Sequence, residues 1–244
     1  MNKRLLLFWQ NPVSRRWFTV GLLTEENGFF SFKYSLSAKA LAKKGEFEPF
    51  GVMRKMGQTY TAADLFPMFK NRLLEKSRPE YFDYLKWLGL DRATTTDMAE
   101  LSRSGGVRAT DKLQMFPYPE PKDGKYIVEF FVHGMRHIPS EKANRIETLK
   151  EDDALFLLKD IQNKIDPLAL TIRTDDPPEI IGYCPSFFTK DFNDLLNCQS
   201  PHLVKLSVFK INLDAPLQLR LMCRLEAPWV QSFSTFADQE FGNI

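Results

Sequence analysis

The chain has 244 residues, room for one large domain or two modest ones, and its 43% hydrophobic and 26% charged residues are the balance of a globular protein. The three cysteines, Cys184, Cys198 and Cys223, are odd in number and form no CxxC pair. That argues against a disulfide framework or a zinc knuckle and for a reducing compartment. The net charge of +2 hides an asymmetry: 19 Lys and Arg against 12 Asp and Glu over residues 1–118 give +7, and the remaining 14 against 19 give −5.

Met1-Asn2-Lys3-Arg4 precedes only five apolar residues before Gln10-Asn11-Pro12 breaks the run, so no secretory leader is expected. Nowhere do about 18 apolar residues run together, so no membrane helix is expected either, and the reading is cytoplasmic. Leu5 to Trp9 and Trp17 to Leu23 read as strands. Asn27-Gly28 is a hairpin signal leading into a third strand, Phe29 to Tyr34, whose Phe30, Phe32 and Tyr34 share one face. A meander of three antiparallel strands follows.

Ser37 is expected to cap a helix over 38–44, and Gly45 to Thr59 reads as loop. Asp64 is expected to cap a helix carrying Leu65, Phe66, Phe69 and Leu73 on one face. Ser77-Arg78-Pro79-Glu80 fits a capping box for a helix whose buried stripe is Tyr81, Tyr84, Leu85 and Leu88, with Gly89 ending it. A short helix over 97–103 precedes Ser104-Gly105-Gly106.

On these segments the first half resembles the small N-terminal subdomain of HipA-type serine/threonine kinases. Gly28 to Tyr34 is similar to its third strand, Asp64 to Leu74 to its signature helix, and the Ser102–Val107 turn with Leu113 to Phe116 to its closing segment. The resemblance covers residues 1–118. No phosphate loop, catalytic Asp-x-x-x-x-Asn or metal-binding Asp in a kinase setting follows it, so it implies an interaction role without the activity.

Pro117 to Gly124 holds three prolines and reads as a semi-rigid linker, with the boundary region at 119–124. Beyond it, strands are expected at 126–132, 154–158, 170–173, 180–183, 203–211 and 217–225. A turn at Asp175-Asp176-Pro177-Pro178 joins the third and fourth of these. A helix over 186–196 turns Phe188, Phe192, Leu195 and Leu196 inward. Leu217, Leu219, Leu221, Cys223 and Leu225 alternate with polar residues and Met222, a half-buried pattern. Many short strands with one or two helices suggest a small barrel, and 231–244 reads as a loosely held tail. The fold class is therefore α+β: an N-terminal antiparallel meander with helices, then a small OB- or SH3-like β-barrel.

Three polar clusters follow the apolar strands of this second half: Gly134 and Arg136; Gln162, Asn163, Asp166, Ala169 and Leu170; and Gly182, Tyr183 and Pro185. With this spacing, residues 125–230 resemble the HIRAN domain, a module at the front of some DNA-remodelling helicases. The resemblance implies capture of the free 3′ end of single-stranded DNA. The chemistry suits such an end. Asp166 can accept from the terminal hydroxyl, Asn163 can bond a base edge, and Arg136 with the helix start near Ser186 can meet phosphate. A base face calls for a flat partner.

Asp166 before Pro167, and Asn163, also fit plain turn roles. His137 stands where the family places an aromatic stacker, Ile138 where a second aromatic stands, and Ser186 in place of a lysine. Tyr183 serves either the stacking platform or the core. The site set is thus Arg136, His137, Asn163, Asp166, Tyr183 and Ser186, with no catalytic residue, metal or cofactor expected. Two roles are compatible: a DNA 3′-end binder, and a regulatory or antitoxin-like subunit docked on a separately encoded HipA-type kinase core. An enzyme in its own right is the least favoured reading, for want of a nucleophile–base pair.

Overall fold

Alternating apolar residues and one tight turn build the first sheet. The computed structural model describes residues 4–139 and 144–236. In it β1 (Arg4–Gln10), β2 (Trp17–Glu26) and β3 (Phe29–Tyr34) pair as the expected meander. Asn27 and Gly28 take positive φ, 51° and 80°, so the turn's twist matches that of the strands. The edge strands β4 (Tyr60–Ala62) and β5 (Leu113–Pro117) complete the order β4-β3-β2-β1-β5. One face of this sheet packs Leu5, Leu7, Leu23 and Phe32 against Leu41, Phe69, Met98 and Leu101.

The helix starts depart from expectation. α1 (Leu36–Lys43) is capped by Ser35, not Ser37: Ser35 Oγ accepts from Ala38 N at 3.0 Å, while Ser37 is buried in the first turn. The helix expected from Asp64 shrinks to one turn, α2 (Pro67–Lys70), with no side-chain cap. Its continuation is diverted. Leu74 N donates to buried Glu100 at 3.0 Å, and Arg72 reaches away to Gly106 O. α3 (Tyr81–Leu88) buries Tyr81, Leu85 and Leu88 of its expected stripe, leaves Tyr84 half-buried and ends at Gly89, but the capping box does not form. Glu80 is itself the cap position, and its carboxylate pairs with Arg78. α4 (Asp97–Ser104) is capped by Thr96.

Packing divides the chain into two units, one running to Tyr118 and including Phe236, the other Pro119–Thr235. The second unit is a curled six-stranded sheet, a half-barrel. Its strands are β6 (Lys125–Phe131), β7 (Ala154–Lys159), β8 (Leu170–Thr174), β9 (Ile180–Tyr183), β10 (Lys205–Ile211) and β11 (Leu221–Pro228). Their order is β6-β11-β10-β7-β8-β9, antiparallel throughout. The expected last strand starts four residues late, because 217–219 form a 3-10 turn after Pro216. Met222, expected outward, is buried: a bulge between Val208 and Lys210 breaks the alternation of β10 opposite it.

The helix of this unit, α5 (Thr189–Cys198), starts three residues later than expected and is not capped by Ser186. Phe188 and Phe192 stack at 5.5 Å, and Phe192 lies on Phe130, so the helix seals the concave face. Residues 231–235 are held rather than loose. Phe233 is edge-on to Tyr126 at 5.3 Å, and Thr235 donates to the buried carboxylate of Asp191, which also accepts from Tyr126. The rest of the expected tail, 237–244, lies outside the described residues.

Candidate nucleic-acid interface

The two edges of the curled sheet meet at one place, and the polar clusters gather there. His133, just beyond β6, and Tyr183, at the end of β9, exchange two backbone hydrogen bonds of 2.9 and 2.8 Å. Gly182 makes this approach possible: a Cβ there would stand 2.3 Å from Val132 Cγ1 and 2.8 Å from His133 O. Gly134 follows, with φ of +70°, and its missing Cβ would stand 2.9 Å from Tyr183 Cδ2. The Tyr183 ring thus lies against the start of the 3-10 turn that carries Met135, Arg136 and His137.

The second cluster is the loop from Asp160 to Ala169. Asn163 Oδ1 accepts from Ile165 N and Asp166 N, each at 3.0 Å, an Asx turn that folds the loop on itself. Asn163 Nδ2 donates to Asp160 Oδ2 at 3.2 Å, and the same oxygen accepts from Tyr183 Oη at 3.1 Å. Asp166 Oδ1 accepts from Leu168 N at 2.9 Å, and its Oδ2 lies 3.3 Å from Thr189 Oγ1. Thr189 also donates to Ser186 O at 2.8 Å. Asn193, one turn further along α5, donates to Leu168 O at 3.0 Å and holds the loop to the helix.

The structure therefore brings Asn163, Asp166, Tyr183 and Ser186 into one network through Asp160 and Thr189. Arg136 and His137 are exposed on the turn beside Tyr183, with Arg136 Nε donating to His137 Nε2 at 3.1 Å. Tyr183 is neither a free stacking plate nor a core residue. Its half-buried ring braces the Arg136 turn, and its hydroxyl anchors the 160–169 loop. Burial first, and then the Asp160 carboxylate, raise its pKa above the ordinary tyrosine value.

Both Asn163 Oδ1 bonds serve the loop's own backbone, so one amide hydrogen is what Asn163 offers outward. Asp166 keeps more capacity, since an ionised carboxylate has about four acceptor positions. His133, edge-on to Phe187 at 6.1 Å, has its pKa lowered to about 4 by burial and so stays neutral at pH 7. Sequence reasoning missed Asp160 and Thr189, which join the network from the first residue after β7 and the first of α5. It also missed Ile161 and Ile165, 88% and 68% exposed on the same loop. The only signal for them was two isoleucines in an otherwise polar turn.

Among the described residues no group of three or more His, Cys, Asp or Glu is placed to hold a metal ion, and no helix is long and apolar enough to cross a membrane. A curled sheet closed at one end by a bridge, with a braced polar loop cluster at that bridge, defines a small β-module whose polar loops gather at one end. The family is the one its motifs suggest: the HIRAN domain family matches residues 125–230, and this segment is a HIRAN domain. Among solved structures, a crystallised protein of Lactobacillus plantarum is 17% identical, covering 43% of this chain and 99% of its own, at a TM-score of 0.32. The HIRAN domain of human HLTF is 11% identical, covering 43% of this chain and 78% of its own, at a TM-score of 0.28. No curated protein matches the chain. The likeness of the first half to HipA-type kinases rests on its sequence motifs alone, and the helix meant to carry one of them is a single turn.

Proposed function

We propose that this protein is a DNA-binding module, not an enzyme, and that its HIRAN domain holds the 3′ end of single-stranded DNA where the two sheet edges meet. The observation that carries this reading is the joining of Asn163, Asp166, Tyr183 and Ser186 in one hydrogen-bonded network beside the Arg136 turn. A terminal nucleotide offers a hydroxyl donor, a phosphate and an unstacked base. Asp166 accepts from the hydroxyl, and Arg136 with the amides before α5 meets the phosphate. Exposed Ile161 and Ile165 give the base an apolar surface in place of the aromatic pair that His137 and Ile138 do not supply.

A 3′-phosphate replaces the donor with an anion facing Asp166. The test is a competition between otherwise identical oligonucleotides ending in a 3′-hydroxyl or a 3′-phosphate. Preference for the hydroxyl is expected, and equal binding refutes the reading. A second role, as a regulatory or antitoxin-like subunit on a HipA-type kinase core, draws on the motifs of the first unit. Co-expression with such a core, followed by size-exclusion chromatography, tests it.

A further inference from the structure

A second site lies wholly in the first unit and owes nothing to the DNA reading. A groove of about 830 Å³ opens there, within the size range of sites for small molecules. Its walls include Trp9, Phe47, Phe50, Phe66, Met53 and Met68. The aromatic rings interlock edge to face, Trp9 on Phe47 at 5.3 Å and Phe47 on Phe50 at 5.4 Å, which keeps the walls apart. Phe47 and Met53 are buried while the others are half-buried, so apolar surface faces the opening. Thioether side chains among rings adapt to the shape of an apolar guest.

The polar groups on the groove select the guest. Arg72 lines it with its side chain only 4% exposed. Asp111 takes the terminal edge of its guanidinium, and Gly106 O accepts from Nη1 at 2.8 Å. Arg72 Nε is buried and meets no acceptor among the described residues. A buried donor of this kind lacks the bond that offsets its loss of water, and because Nε is closed to solvent here, an oxygen acceptor on a guest meets it only after the groove wall shifts. Asp111 matches the charge of Arg72. Exposed Arg108 also lines the groove, and an adjoining hollow that shares Gly51 and Val52 with it is lined by Arg54 and Lys55. Glu46 and Glu48 line the groove as well. The groove's own lining sets Arg72 and Arg108 against Asp111, Glu46 and Glu48, and only with Arg54 and Lys55 of the adjoining hollow does the local balance become one positive charge in excess, which favours an anionic acceptor at the Arg108 side over a neutral one.

We propose that this groove binds a small aromatic or long-chain carboxylate, its apolar body between the rings and its carboxylate at Arg72 and Arg108. The test uses the full chain and two fluorescent probes. Anilinonaphthalene sulfonate carries an anion in place of the carboxylate, and N-phenylnaphthylamine has the same rings without it. The expected result is one saturable site at which the sulfonate binds about tenfold more tightly than the neutral dye, the effect of one charge-assisted hydrogen bond. Dodecanoate should displace the sulfonate dye, and dodecanol should do so far less well. Met68→Trp should fill the groove and abolish both dyes while leaving oligonucleotide binding unchanged. Arg108→Gln, at an exposed position where folding is not at risk, should remove the preference for the anion. Unsaturable fluorescence, equal affinity for the two dyes, or binding indifferent to Arg108→Gln would each overturn the proposal.

Discussion

The meeting of the sheet edges is the feature on which the candidate DNA site stands, and Gly182→Ala is the sharpest probe of it. The added Cβ would lie 2.3 Å from Val132 Cγ1 and 2.8 Å from His133 O. One of these atoms is backbone, so the contact is not relieved by a rotamer change. Overpacking of this kind costs about 1–3 kcal/mol. If the edges part instead, two backbone hydrogen bonds are lost, at about 1 kcal/mol each. The two routes together bracket about 1–3 kcal/mol, about a 5- to 150-fold change in the opening equilibrium at about 1.4 kcal/mol per decade. Hydrogen exchange reads this locally: protection of the His133 and Tyr183 amides should fall by about that factor, while β1–β3 of the first unit keep theirs. Oligonucleotide binding should fall with it, because the Arg136 turn and the 160–169 loop lose their common brace. A Gly182→Ala chain with unchanged protection at both amides would refute the claim that the edges are joined through this approach.

Asp166→Asn removes the charge but keeps the shape. The ratio of affinities for hydroxyl- and phosphate-ended oligonucleotides should fall several-fold, with stability changed by less than about 1.5 kcal/mol. Tyr183→Phe loses the bond to Asp160 and should cost about 1 kcal/mol by urea unfolding, with a few-fold weaker end binding. His133 titrates at about 4 in the fold against an ordinary 6.5, so the folded state favours the neutral ring. Its contribution is complete above about pH 6.5 and is lost as the pH falls toward 4, on the order of 3 kcal/mol in full. Against His133→Gln, the wild-type loss of stability between pH 6.5 and 5 should be the steeper, by pH-jump denaturation; parallel curves would show that the ring titrates freely.

The second hairpin and the third strand were legible because their causes are local. Alternation over Phe29 to Tyr34, and the left-handed turn at Asn27-Gly28, are properties of adjacent residues. The helix starts were not, because the deciding partners lie far along the chain. Leu74 is drawn off by Glu100, 26 residues away, and Ser35 is chosen over Ser37 because its hydroxyl also donates to Thr19 O. The candidate site divides in the same way. Asn163 and Asp166 sit in one turn and show as a motif. Asp160, which ties that turn to Tyr183 across 23 positions, looks in sequence like any strand-ending aspartate. The cover of Gly134 by the Tyr183 ring leaves no trace in the sequence beyond the glycine itself.

The charge of the second half bears on what kind of DNA contact the proposed site can make. Residues 119–244 carry 14 Lys and Arg against 19 Asp and Glu. Affinity for the interior of a strand comes from phosphate neutralisation, and a net anionic surface supplies little of it. A terminal nucleotide is different, because its hydroxyl and base ask for acceptors and an apolar surface as much as for cations. Asp160 and Asp166, which repel a passing phosphate, are the groups suited to a terminal hydroxyl. On this reading the acidity acts as a filter: it lowers affinity for strand interiors while leaving the end contact intact. Such a site has weak salt dependence, close to one or two phosphates' worth, where a tract binder of the same affinity would show many. A steep slope of affinity against salt would place the binding energy on the basic first unit instead.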